Sequence, residues 1–284
     1  MNQNLRPAKT TQLKGYDNTP EKEERPDALE NSKPLNKEQV QKQLAVEGED
    51  DLMDTGYDPE LDPVPAVIFD SELQFIKQLK AVDIVFLIDA TGSMSPYMKG
   101  VKRFTRKILW DVQKCLTQYL VDEVEVLLVG LVTYKDHSTN KNSYVSKIDC
   151  DLTSNFNDFK ANLMRVQAKG GGDEPEAVLD GLNEAIMNIS WRENSFKFVY
   201  HILDGPPHGK ELNVCKNDNY PECPCGLNYE DILREMRNRE IEYTIIQLSD
   251  TVDMMVKSFQ EIMKIEVITP DIKCDKSKAI SQDD

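Results

Sequence analysis

No apolar run in this 284-residue chain approaches the roughly 18 residues needed to cross a bilayer. The opening stretch MNQNLRPAKT also lacks the apolar core of a secretion signal. The expectation is a cytoplasmic protein with no direct membrane insertion. Cysteine is scarce as well: the six present (Cys115, Cys150, Cys215, Cys223, Cys225, Cys274) lack the regular spacing of a small disulfide-stapled domain, so most are expected to be free thiols. Positive charge is the third shortage. With 34 Lys and Arg against 50 Asp and Glu the formal charge is -16, which excludes nucleic acid and anionic lipid as nonspecific partners, because both are drawn to basic surfaces. A cation or a basic partner suits the chain better.

Hydrophobic residues make up only 39% of the chain, low for a protein folded from end to end, so part of it is expected outside any core. Residues 1–75 are that part. They are polar and dotted with proline, and between Glu47 and Asp62 eight acidic residues run without a Lys or Arg. Such a segment buries too little apolar area to offset its conformational entropy and is expected to be disordered. It reads as a solubilising leader, with a docking tail for a basic partner as the sharper alternative. Residues 80–270 are expected to form one domain and 271–284 a flexible polar tail.

At Ala81 the character changes. AVDIVFLID is a β-branched, apolar run that ends on Asp89 and enters the small, hydroxylated turn ATGSM, the pattern of a buried parallel strand feeding a loop. Beyond it Met98, Val101, Phe104, Ile108, Val112, Cys115, Leu116 and Leu120 fall at steps of three and four, which predicts an amphipathic helix with Pro96 in its first turn. The alternation then repeats: strands over 123–136, 196–205, 241–249 and 265–269, a short edge strand over 143–151, and helices over 156–167, 175–189, 230–239 and 251–264. Strands alternating with helices predict an α/β fold with a mostly parallel central sheet covered on both faces.

In such sheets ligands gather at the carboxyl ends of the strands, where loops converge and helix N-termini point. Three loops fall at that edge. Asp89-Ala90-Thr91-Gly92-Ser93 offers a carboxylate and two hydroxyls at alternate residues, Gly170 to Glu176 is glycine-rich and acidic, and Asp204-Gly205 closes the strand FKFVYHILD. Carboxylates packed together repel and take up protons unless a cation lies among them. Oxygen-only donors favour Mg²⁺, or Mn²⁺ or Ca²⁺, over zinc. A single aspartate at a strand end more often caps a loop; two beside a hydroxyl-bearing loop favour a metal.

These residues also carry a family resemblance. DIVFLIDATGSM resembles the first metal-binding segment of von Willebrand factor A domains, Asp-x-Ser-x-Ser, with Thr91 in place of the first serine. GGGDEPEAVLDGL falls where that family has a glycine-rich loop bearing a threonine ligand, and ILDG where it has its second aspartate. The resemblance covers about residues 81–268. It implies a three-layer Rossmann-like fold with one antiparallel edge strand, and a metal-ion-dependent adhesion site. Asp89, Thr91, Ser93 and Asp204 match the ligands in type, and Asp173 stands at the threonine position. A carboxylate there would tighten metal binding while weakening the pull on an acidic group of a partner. GGGDEPEAVLDGL, ILDGPPHG and CPCGLNYEDILREM are similar to the A domain found beside an α-kinase domain in some unicellular eukaryotes. No P-loop or protein-kinase glycine loop occurs with its partners, so the binding domain and not phosphoryl transfer is what the resemblance leads one to expect.

The expectation is therefore a divalent-cation-dependent protein-binding module, for adhesion or scaffolding, working as a monomer or within a larger complex and not as an enzyme. Two alternatives stand beside it. A metal-dependent phosphohydrolase or phosphotransferase would use Asp89 as nucleophile, but that chemistry places a second carboxylate two residues on, where this chain has Thr91. A scaffold domain would bind no metal at all. Tyr134, Asp136, Glu174 and His208 are the candidate partner-binding residues around the same edge. His137 reads as a loop histidine and His201 as a core one. Cys215, Cys223 and Cys225, with His208 upstream, form a candidate zinc clip, although Cys-x-Cys is tighter than the usual spacing and loop packing is the simpler reading.

Overall fold

The structure, a computed structural model, describes residues 81–119, 127–137 and 143–272. The acidic segment expected over 1–75 and the tail from residue 273 lie outside them. In chain order the elements are β1 (Val82–Asp89), α1 (Met98–Tyr119), β2 (Leu127–Tyr134), β3 (Ser146–Thr153), α2 (Phe156–Arg165), α3 (Val178–Met187), β4 (Phe196–Leu203), α4 (Tyr229–Asn238), β5 (Ile241–Gln247), α5 (Asp253–Gln260) and β6 (Glu266–Ile268). Among the described residues the strands form one six-stranded sheet in the order β3-β2-β1-β4-β5-β6. All neighbours are parallel except β2 and β3, which run antiparallel and place β3 at the edge.

Every residue of β1 is buried, as a strand covered on both faces requires. Its alternation divides the core in two. Val82, Ile84, Phe86 and Ile88 pack with residues of α1 and α2 on one face, and Val85 and Leu87 with α3, α4 and α5 on the other. The two faces of the strand thus serve two helical layers. Asn155 and Asn228 cap α2 and α4 by accepting hydrogen bonds from the two backbone N–H groups of the following turn.

Helix α3 lies close enough to the sheet that a Cβ at Gly181 would stand 2.4 Å from Cδ1 of Tyr134. Glycine is needed there for the approach. Two expectations are corrected locally. Pro96 precedes α1 instead of lying within it, although Met98 N–H already bonds Met94 O across that turn at 2.9 Å. The helix expected over 251–264 is shorter, with a 3-10 turn at Asp250–Val252 leading into α5. The Ser249 hydroxyl accepts from Thr251 N–H and ends the preceding segment before the helix can extend back.

No helix among the described residues is long and apolar enough to cross a membrane.

Candidate metal centre

Strand order reverses between β1 and β4, so the loops leaving their carboxyl ends part and open a crevice. Asp89 ends β1, and Asp204 follows the last residue of β4. Between them the hydroxyls form a chain. Thr91 Oγ1 donates to Asp89 Oδ1 at 2.6 Å, Thr91 and Ser93 hydroxyls lie 3.1 Å apart, and Ser93 Oγ donates to Asp204 Oδ1 at 2.9 Å. Thr91 N–H also donates to Asp89 Oδ1. The four residues expected from the first and third loops are thus joined in one oxygen-rich arc.

The glycine-rich loop packs directly on this arc: Gly92 N–H donates to Gly170 O at 2.7 Å, and a Cβ on Gly92 would stand 2.9 Å from that oxygen. The loop then turns Glu176 inward. Its backbone N–H donates to Pro206 O, it bridges Pro207, and its side chain is 3% exposed beside Thr91. Asp173, the residue expected to complete the metal shell, lines the same crevice and has one oxygen engaged outside the arc. Its Oδ2 accepts from Asn219 N–H, and it clusters with Asp136 and His208, their ligating atoms within 4.8 Å of one another. The carboxyl beside Asp89 is therefore Glu176. No sequence signal distinguishes Glu176, because the loop holds three acids and only the contact with Pro206 and Pro207 selects which one turns in.

Electrostatics single out the same three groups. Burial, then the negative charge of Asp204, pushes Asp89 up to about 8 despite two hydrogen bonds from Thr91. Burial, then Asp89 and Asp136, pushes Glu176 up to about 11, and burial pushes Asp204 up to about 6. Asp89 Oδ2, Glu176 Oε2 and, on the cavity wall, Asp173 Oδ1 are buried with no hydrogen-bond partner. An unpaired buried carboxylate oxygen is costly, and a hard divalent cation satisfies several at once. The donor set, three carboxyls and two hydroxyls with neither His nor Cys, fits Mg²⁺, Mn²⁺ or Ca²⁺. The crevice opens into a cavity of about 620 Å³ lined by Ser93, Asp173, Glu174, Glu176, Asp204, Asn217 and Asn219, among others.

The expected partner-binding residues divide. Glu174 is exposed on the cavity wall. Tyr134, Asp136 and His208 are buried and leave that surface. Tyr134 belongs to a core relay in which its hydroxyl meets His201 Nε2 at 2.9 Å and Tyr243 OH meets His201 Nδ1 at 2.6 Å. Burial lowers His201 to about 3, so the imidazole is neutral and accepts from one tyrosine while donating to the other. His208 lies between Asp136 and Asp218, at 2.9 and 2.8 Å, and their bonds and charges hold it above its usual range against the opposing effect of burial. The expected zinc clip also separates: Cys215 bonds towards Glu174, whereas Cys223 and Cys225 turn towards Asp180.

A mostly parallel sheet with an oxygen-donor crevice at its switch point defines a Rossmann-like domain with a candidate site on its carboxyl edge. This chain contains a von Willebrand factor A domain, and the family's model matches residues 83–214. The chain is 31% identical over 195 residues to alpha-protein kinase vwkA of Dictyostelium discoideum, across 66% of this chain and 29% of the kinase. It is 27% identical over 134 residues to an ariadne-like RING finger protein of Acanthamoeba polyphaga mimivirus, across 45% of this chain and 11% of that protein. It thus spans under a third of the length of either relative. Among solved structures, the SpRpn10 VWA domain aligns with a TM-score of 0.41 at 14% identity, over 69% of this chain and 93% of that one. Domains of this family are generally protein-interaction modules.

Proposed function

We propose that the domain binds a protein partner in a divalent-cation-dependent manner, with Asp89, Thr91, Ser93, Asp204 and Glu176 holding the ion. The observation that carries this reading is the bare Oδ2 of Asp89, buried beside Glu176, which burial and neighbouring negative charge hold towards its neutral form, and Asp204, which burial holds that way. When bound, the cation would neutralise these groups and offer a coordination position to a partner oxygen. Glu176 adds a third carboxylate beside Asp89, which favours tight ion binding over capture of an acidic partner group.

The reading is of a binding module and not an enzyme. Thr91 spends its hydroxyl on Asp89, and no Lys or Arg lies among the cavity's lining residues to balance a transferred phosphoryl group. Isothermal titration of the chain with Mg²⁺, Mn²⁺ and Ca²⁺, repeated on Asp89→Ala, tests the proposal. Saturable binding to the wild type and its loss in the variant is the expected result. Indistinguishable heats in the two proteins would leave a scaffold domain without a metal, and phosphatase turnover abolished by Asp89→Ala would establish the enzyme instead.

A further inference from the structure

A second group of metal-ligating side chains lies away from the oxygen arc and independent of it. His137 follows β2, Asp180 lies in the first turn of α3, and Cys223 and Cys225 belong to the loop before α4. His137 Nε2 and Asp180 Oδ2 are 3.0 Å apart, and Cys223 Sγ is 3.6 Å from the same carboxylate oxygen. The ligating atoms of these three all lie within 4.8 Å of one another. Cys225 directs its thiol to Asp180 as well and lies close enough to Cys223 for their charges to interact. We propose that His137, Asp180, Cys223 and Cys225 form a structural zinc(II) site that staples the loop after β2 to α3 and to the loop before α4.

Three observations carry the assignment. Ligands held about 2.0–2.3 Å from a tetrahedral zinc stand about 3.3–3.8 Å from each other; the 3.6 Å separation lies within that range and the 3.0 Å one just below it, so small side-chain rotations would close the shell. The donor types, two sulfurs, an imidazole nitrogen and a carboxylate oxygen, suit zinc and are poor for Mg²⁺ or Ca²⁺. The third lies in the backbone. Residues 223–226 form a tight turn closed by Gly226 N–H donating to Cys223 O at 2.9 Å, and the N–H groups of Cys225 and Leu227 are aimed at the Cys223 sulfur. The short Cys-x-Cys spacing is thus met by a turn that presents both sulfurs to one carboxylate.

Tyr220 OH donates to His137 O at 3.0 Å, and the neighbouring Asp136 holds His208. Fixing His137 therefore fixes this buried network.

The test uses the full chain, stripped with chelator and titrated with Co²⁺ as a spectroscopic stand-in for zinc. Thiolate-to-cobalt charge transfer in the near ultraviolet with intense tetrahedral d–d bands, saturating at about one ion per chain, is expected. The bands should persist in Cys215→Ser and in Asp89→Ala, which separates this site from the oxygen arc. They should be lost in the Cys223→Ser, Cys225→Ser double variant, and zinc retained through dialysis should fall at least tenfold there. Circular dichroism of that variant reports whether it folds, and the wild-type spectrum alone decides the matter if it does not. No charge-transfer band in the wild type, or a band that survives the double substitution or vanishes in Cys215→Ser, overturns the proposal.

Discussion

Two aspartates on β1 show how differently one side chain can be used. Asp83, near the amino end, is fully buried and fully matched: Arg192 donates from Nε at 2.8 Å and from its backbone N–H at 3.0 Å, and Ser195 Oγ donates at 2.7 Å. Asp89, at the carboxyl end, has one oxygen matched by Thr91 and the other bare. The first is a structural ion pair and the second a candidate ligand. Because Asp89 and Asp204 are raised to about 8 and about 6, protons compete with a cation across that range. A raised carboxyl binds more protons folded than unfolded, so the metal-free domain loses stability as pH rises from the ordinary carboxylate range through 8. Bound cation removes that loss. The gain in melting temperature from saturating Mg²⁺ is therefore expected to grow between pH 5 and pH 8, measured by differential scanning fluorimetry, and a pH-independent gain contradicts the coupling. Glu176→Gln is expected to weaken Mg²⁺ binding about tenfold or more, and Asp173→Asn distinctly less. Equal losses in titration calorimetry would place both carboxylates on the ion.

At the scale of elements, position on a strand was legible and accessibility at its end was not. Tyr134 closes β2 at the edge where loops gather, which made it a candidate for the binding surface, but α3 packs over it through Gly181. Gly181→Ala offers a test in which two effects oppose. Helix propensity alone favours alanine by about 1 kcal/mol. The added methyl would meet Tyr134 at 2.4 Å, and that ring is fully buried and bonded to His201, so overpacking of about 1–3 kcal/mol is expected to win. Urea unfolding with a lower midpoint is the predicted result; a higher one would mean that the ring can yield. The helix caps Asn155 and Asn228 were local and readable in principle, since an Asn just before an amphipathic run is a helix-start signal.

Across the whole molecule the formal charge of -16 means that any added cation will screen self-repulsion and stabilise the chain to some degree. Site binding must exceed that background. At about 100 times its dissociation constant a site-bound ion adds roughly 2.7 kcal/mol. Mg²⁺ is expected to raise the melting temperature well above NaCl of matched ionic strength in the wild type, and to match NaCl in Asp89→Ala. Equal effects of the two salts on the wild type would assign the whole response to screening. The site joins β1, the loop before α3 and the end of β4, so its occupancy should be felt by the sheet as one cooperative unit.

The sequence by itself determined the alternation of strands and helices, the burial of β1 and the oxygen donors at its end, because hydrophobic period and strand-end chemistry are written within a few consecutive residues. Only the tertiary structure decided which acid of the glycine-rich loop faces Asp89, which aromatic at the edge is core, and which histidine stands beside Cys223. Glu176 is turned in by Pro206 and Pro207, and His137 meets Cys223 through Asp180. These choices depend on contacts between segments 30 to 86 positions apart along the chain, and no local pattern records them.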